Sequence, residues 1–419
     1  MRWRSALPRT FPQKWAGLRS RGEYMALGVG FTLVVPSLGQ VQKYVGMWGT
    51  LFYVLLVLGF WSVAHRLLRK VEALVPERWA CGLALATGLV LFILFSALYP
   101  IADAGIIGGG GDRDDALNLG ARELLQGRCP YHVTTYLGNP IAPLPGGLLL
   151  SLPFVVLGNS AYQNFFWLAI FFLVAREVLG DTRQALLLLW SLLLFSPVLL
   201  QQIITGGDLP ANSIAVLTFC WLLLGASCRW RPVVALLLGL AWAWRVNFVL
   251  LIPLVYVLLD RKIGRRSALG LVGLASGVLV GVTLPFALHD PHGLSPFLMQ
   301  NKFARFEGIL AHAGLLLPLV AGGYALARAR AHADVKALFR DGTLILAFPI
   351  IGGLILATVQ AGRLDLSLAD YGVSFLFFGA LATWARWVHA RSLEERIARS
   401  AALLGRIGSE ARDARWPSV

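Results

Sequence analysis

The chain has 419 residues, of which 57% are hydrophobic and 14% charged, with a formal net charge of +15. A chain this apolar belongs in a bilayer, and its hydrophobic stretches recur at close to the ~20 residues that span one, which excludes a soluble enzyme held by a single anchor. The positive charge sits at the ends of apolar segments, where it reads as a topology determinant and implies no nucleic-acid partner. Cys81, Cys129, Cys220 and Cys228 form no CxxC pair and imply neither a zinc site nor a disulfide framework.

Residues 1–23 form a basic arm. The first apolar stretch comes too late for a secretory signal and no small-residue cleavage site follows it, so the arm is predicted to stay in the cytoplasm. Apolar segments follow at 24–40, 47–64, 81–102, 161–179, 185–204 and 211–227, then at 232–259, 268–288, 309–327, 343–361 and 371–388. The predicted fold class is therefore all-α: a polytopic membrane domain over residues 24–391 with roughly ten to twelve crossings. Residues 392–419 read as a charged cytoplasmic tail, a helix lying free or on the membrane surface. Neither an internal repeat nor a soluble domain is evident.

Basic residues in short loops are retained in the cytoplasm. That rule places inside the N-terminal arm, Arg66 to Lys70, Arg229 with Arg231, the DRKIGRR stretch, Arg328 to Arg340 and the tail from Arg386. The loops left outside carry Asp112, Asp114, Asp115, Asp208, Asp290, Asp365 and Asp370, so a site is expected on the extracytoplasmic face of the plasma membrane. Two stretches do not fit simple crossings. PLPGGLLLSLPFVVLG, residues 143–158, is short and holds three prolines, which suits a re-entrant, interfacial or tilted segment. Residues 232–259 are long for one helix, are basic at both flanks and carry Arg245 and Asn247 in the middle; two half-helices meeting near Arg245 account for all three features.

The longest polar loop, residues 103–143, contains GGGGDRDDALNLGARELLQGRCPY. LNLGARELLQG reads as a helix that Asp114 or Asp115 can cap, leaving neighbouring carboxylates at its N-terminus, where the dipole favours the ionised form. An ionised carboxylate just outside the bilayer can serve as a general base. The plainer role for these acids is to cap a solvated helix; their clustering is what points to chemistry. Asp112 and Asp114 also make a DxD, but the doubly wound domain in which that motif holds a metal is missing, and Leu117 stands where a calcium loop needs glycine. A divalent cation is therefore allowed and not required, and no redox cofactor is implied.

Arg245, in WAWRVNFVLLIP, is costly in apolar surroundings unless a partner or water meets it; a lipid-linked phosphate, an aspartate of a neighbouring helix and snorkelling to the interface are the alternatives. The outer loop HDPHGLSPFLMQNKFARFEG adds His289, Asp290, His292, Lys302 and Arg305. Lys302 and Arg305 suit either a phosphate or lipid headgroups, whereas His289 and His292 lack further ligands at a metal-binding spacing.

DRDDALNLGARELLQGRCPY followed by PLPGGLLLSLPFVVLG resembles the first outer loop and next helix of polyprenyl-phosphate-sugar-dependent glycosyltransferases of the GT-C fold, nearest to the bacterial mannosyltransferase-like branch. GLAWAWRVNFVLLIPLVYVLLDRK is similar to that group's small-residue helix, basic residue and second half-helix; the resemblance spans residues 112–262. It implies a catalytic carboxylate at Asp112, Asp114 or Asp115, a polyprenyl-phosphate sugar donor, and a lipid, glycan or protein acceptor. Ala116, Leu117 and Asn118 stand where the family often has aromatic residues, and NPIAPLP replaces its YPP-like stretch. Arg245, with Lys302 or Arg305, would stabilise the phosphate. The rival expectations are a transporter or lipid flippase, with Arg245 and Asp208 on its path, and a noncatalytic membrane scaffold.

Overall fold

The computed structural model describes residues 25–103, 111–290, 305–331 and 335–390. Among these residues the regular structure is helical, and the one β contact is an isolated antiparallel bridge between Thr134 and Pro140. The helices are α1 (25–34), α2 (Leu38–Leu74), α3 (Glu77–Asp103), α4 (Arg113–Leu125), α5 (Pro145–Val156), α6 (Gln163–Leu179), α7 (Thr182–Phe195) and α8 (Pro197–Ile204). They continue as α9 (Leu209–Gly225), α10 (Arg231–Trp242), α11 (Ile252–Ile263), α12 (Arg265–His289), α13 (Ala313–Ala331), α14 (Val335–Ala361) and α15 (373–390). Five helical stretches are long and apolar enough to cross a membrane, or six if the bent pair α7 and α8 counts as one span.

One of those five, Met25–Ala64, is not a single rod. Gly46 (φ 73°, ψ −175°) interrupts it in a region open essentially to glycine alone. A methyl group on Gly30 would stand 3.1 Å from the Leu58 side chain and 3.2 Å from that of Trp61, whereas an unbroken helix would hold residues 28 positions apart about 42 Å from one another. The chain therefore doubles back at Gly46, as the separate apolar segments at 24–40 and 47–64 predict. Both arms then meet the end of α7: Ser37 Oγ lies 3.3 Å from Ser196 Oγ, and Tyr53 Oη donates to the Phe195 carbonyl at 2.7 Å.

The segment expected at 185–204 is broken. Pro197, which lacks an amide hydrogen and keeps the preceding residue out of the α region, ends α7 at Phe195, and α8 leaves at 85°. Residues 143–158 yield the 12-residue α5, about 18 Å long and so well short of a ~30 Å hydrocarbon core. Residues 232–259 form two short helices, as their basic flanks and central arginine predict. α10 starts just after α9 ends, α11 returns so that Lys262 Nζ donates to the Leu224 carbonyl at 2.5 Å, and the turn between them sits at the opposite end of α9, against Asp208. α9 itself is apolar all round and buried on every side, the pattern of a helix enclosed by others.

This arrangement sorts the connections into two ends. Lys262, Leu224 and Arg183, the last within electrostatic reach of Glu72 and Glu77, lie at one end, the basic end. The 35–46 stretch, α4, α8, the residues leading into α9, the α10–α11 turn and residues 362–372 meet at the other, the loop end.

Candidate functional site

The loop end is built around the start of α9. Its N-cap, Asp208, is fully buried, and Arg245 grips it through both oxygens: Nη2 to Oδ1 at 2.6 Å, Nη2 to Oδ2 at 2.7 Å and Nε to Oδ2 at 3.0 Å. Trp244 Nε1 adds a bond to Oδ2 at 3.0 Å. Burying a carboxylate away from water is costly unless an opposite charge and hydrogen-bond donors meet it, as they do here. Of the alternatives for Arg245, the structure contains the aspartate of a neighbouring helix. Its chemistry is therefore first that of a strut, joining the α10–α11 turn to α9.

The start of α5 lies on the same turn. The Leu144 amide donates to the Trp244 carbonyl at 3.0 Å and that of Gly147 to the Ala243 carbonyl at 3.2 Å. A methyl group at Gly146 would come 2.6 Å from Ala243 Cβ, so the paired glycines of PLPGG are what allow this approach.

α4 packs over the other side of the α9 entry. Its N-cap is Asp112, not the expected Asp114 or Asp115, and no side chain caps the helix. Asp112 turns its carboxylate outward instead, where Oδ2 accepts from Thr135 Oγ1 at 2.6 Å and from Asn139 Nδ2 at 2.8 Å. Thr135 and Asn139 belong to a tight turn closed by the Thr135 amide bonding to the Asn139 carbonyl at 2.8 Å. Asp114 points inward and is 1% exposed; Tyr99 Oη, from the end of α3, donates to its Oδ2. Behind it lies Gly206 (φ +71°), where a methyl group would approach Asp114 Cβ to 2.9 Å. Asp115 accepts from the Tyr136 amide at 2.9 Å. Asn118 and Ser160 then fasten α4 to the turn before α6: the Ser160 amide donates to Asn118 Oδ1 at 2.8 Å, and Ser160 Oγ to the Asp114 carbonyl at 3.2 Å.

The three acids that the sequence leaves equivalent thus differ in kind. Asp114 is an inward anchor, while Asp112 and Asp115 are partly exposed and each held by groups of the 134–140 turn. Asp112 is the most firmly oriented, with two side-chain donors on one oxygen. A methyl group on its neighbour Gly111 would lie 3.6 Å from Thr205 Oγ1, which places Asp112 beside the loop that leads to Asp208.

Arg113, Gln202 and Tyr371, which the sequence does not single out, complete this end together with Asp365 and Asp370. Arg113 donates from Nη1 to Gln202 Oε1 at 3.0 Å and lies over the Tyr371 ring, 5.6 Å from its centroid. Next to Tyr371, Asp370 accepts from Gln40 Nε2 at 2.7 Å, and burial pushes its carboxyl above the ordinary range against the opposing pull of Arg113. A hydrogen bond from the Ser367 amide pulls Asp365 the other way, helped by Arg305 and Arg363. Tyr99, Gln202 and Tyr371 are uncharged and belong to apolar segments or their ends, so only the fold reveals their part in the site.

Lys302 and His292 lie outside the described residues. Arg305 is exposed, spread over the Phe306 ring at 4.6 Å from the centroid, in a small separate cluster with Ala313 and Ala357. The structure does not join it to Asp112 or Arg245. His132 Nε2 approaches Asp290 Oδ2 at 3.4 Å, with the His289 ring 6.4 Å from that of His132. Among the described residues no group of three or more His, Cys, Asp or Glu side chains could hold a metal ion.

Fold and composition together define a class: an all-helical protein with several apolar helices of membrane-spanning length. Comparison with family models, with curated proteins and with solved structures finds no match.

Proposed function

We propose that this protein is an integral-membrane glycosyltransferase that moves a sugar, with mannose the first candidate, from a polyprenyl-phosphate donor to a lipid, glycan or protein acceptor. In this reading the basic end faces the cytoplasm and the loop end the extracytoplasmic side, following the distribution of Lys and Arg. The carrying observation is Asp112: a partly exposed carboxylate, oriented through one oxygen by Thr135 and Asn139, at the end of the bundle where the helical breaks collect.

Its free edge suits a base that accepts the proton of an acceptor hydroxyl as that oxygen bonds to the sugar's anomeric carbon. The bond from that carbon to the phosphate oxygen breaks at the same time, its electron pair leaving with the polyprenyl phosphate. Such a leaving group needs no protonation, so one base and one cation on the phosphate suffice. Asp114, enclosed by Tyr99 and Gly206, supports the helix that presents Asp112. Arg245 holds the α10–α11 turn and reaches a ligand only with the Nη1 edge that Asp208 does not occupy.

The α10–α11 turn also favours a second reading. Broken helices with a buried ion pair are used by transporters to bind cargo near the membrane midplane. Membranes carrying the wild type or Asp112→Asn, supplied with a panel of radiolabelled polyprenyl-phosphate sugars, separate the two. Label passed to a product by the wild type alone, at equal protein abundance, is the expected result. Labelled donor moved across the membrane with no product formed would replace the transferase by a transporter.

A further inference from the structure

A transferase of this kind needs a cation for the phosphate, and three described arginines, Arg113, Arg245 and Arg305, differ in how far their charge is already used. Arg245 is matched by Asp208 through both carboxylate oxygens, and Arg305 stands apart on the Phe306 cluster. Arg113 has neither arrangement. Among the described residues its side-chain contacts are with neutral groups, the Gln202 amide oxygen and the Tyr371 ring, and no carboxylate comes within ion-pairing distance.

Those neutral contacts constrain the guanidinium without cancelling its charge. Stacking on Tyr371 fixes its plane, and Gln202 takes one of its five N–H bonds and leaves the others to a ligand. Gln202 is itself buried and fixed, its Nε2 donating to Gln201 Oε1 at 2.9 Å. Asp370, next to Tyr371, is within electrostatic reach of Arg113, and burial raises its carboxyl against that pull. A planar fork of this kind matches two oxygens of a phosphate, and it stands one residue from Asp112.

We propose that Arg113, set by Gln202 and Tyr371, is the group that binds the phosphate of the ligand at this end of the protein. The inference rests on the transferase reading, which supplies the phosphate as that of a polyprenyl-phosphate lipid. It also places the base and the phosphate cation on consecutive residues of one rigid helix start, so that ordering α4 aligns both.

The test uses the full chain in lipid nanodiscs and compares binding of a polyprenyl monophosphate with that of the corresponding polyprenol. The wild type, Arg113→Gln, Arg113→Lys and Arg305→Gln are titrated with each lipid, and inorganic phosphate is added as competitor. Protection of buried Cys220 from a thiol reagent confirms that each variant is folded. The wild type should prefer the phosphate lipid by about tenfold or more. Arg113→Gln should lose that preference, Arg113→Lys keep part of it and Arg305→Gln keep all of it. A folded Arg113→Gln protein with undiminished preference overturns the assignment of Arg113 and leaves the transferase reading in place. A wild type with no preference for phosphate, lipid-borne or inorganic, overturns both. Binding of inorganic phosphate through Arg113 with no discrimination between the two lipids keeps the phosphate site and removes the lipid donor.

Discussion

Replacing Arg245 by alanine leaves the Asp208 carboxylate at 0% exposure without its counter-charge, with the Trp244 indole as its remaining donor among the described side chains. Removing one member of a buried ion pair costs about 3–5 kcal/mol, because the remaining charge is stranded away from water. The reverse change, Asp208→Asn, is milder. Arg245 is 18% exposed and can recruit water, and the new amide oxygen still accepts from Trp244, so the loss is that of charge-assisted bonds, about 1.5–3 kcal/mol. The double variant Asp208→Asn/Arg245→Gln pairs two neutral amides and should be more stable than Arg245→Ala alone. Unfolding in mixed detergent micelles can be followed by labelling of Cys220, which is buried in α9, while exposed Cys81 and Cys228 react at once. Equal costs for the two single variants, or a cost below about 1 kcal/mol for Arg245→Ala, would refute the account of this pair as the strut between α9 and the α10–α11 turn.

Gly46→Ala should destabilise the protein by about 1–3 kcal/mol through backbone strain alone, since no atom lies within 4 Å of the added methyl group; the same micelle titration reads it. Tyr99→Phe removes the hydroxyl bonded to Asp114 and should cost about 1–3 kcal/mol, seen as a lowered unfolding midpoint. The raised Asp370 carboxyl predicts a pH dependence of definite sign. Because the folded state holds that proton more tightly than the unfolded chain, this group's contribution to stability falls as pH rises from 3.8 through the raised value. Asp370→Asn should abolish that component and, near neutral pH, leave the unfolding midpoint unchanged or higher. Asp365 runs opposite: its lowered carboxyl contributes stability above 3.8 that is lost as pH falls through the folded value, and Asp365→Asn should remove it.

Much of the scaffold can be read from hydropathy because a bilayer imposes segment length and apolarity directly. The two arms either side of Gly46 and the half-helices meeting near Arg245 follow from that reading, and so does the helix after DRDD. The break at Pro197 lies within an apolar run, where a length rule sees one span and the missing proline amide makes two. Roles within the site are less legible because distant contacts decide them. Asp112 and Asp114 are two residues apart, and what separates them is Thr135 and Asn139 on one side and Tyr99 on the other. Arg113 likewise reads as an ordinary charge in a polar loop until Gln202, 89 positions on, and Tyr371 are brought beside it.

The most direct measurement of the central claim is the release of free polyprenyl phosphate from a polyprenyl-phosphate sugar by purified protein in proteoliposomes, quantified by mass spectrometry with acceptor present. The wild type should convert donor to polyprenyl phosphate and glycosylated product in equal amounts. Asp112→Asn should release neither while Cys220 stays as protected as in the wild type. Turnover by Asp112→Asn at the wild-type rate would contradict the account.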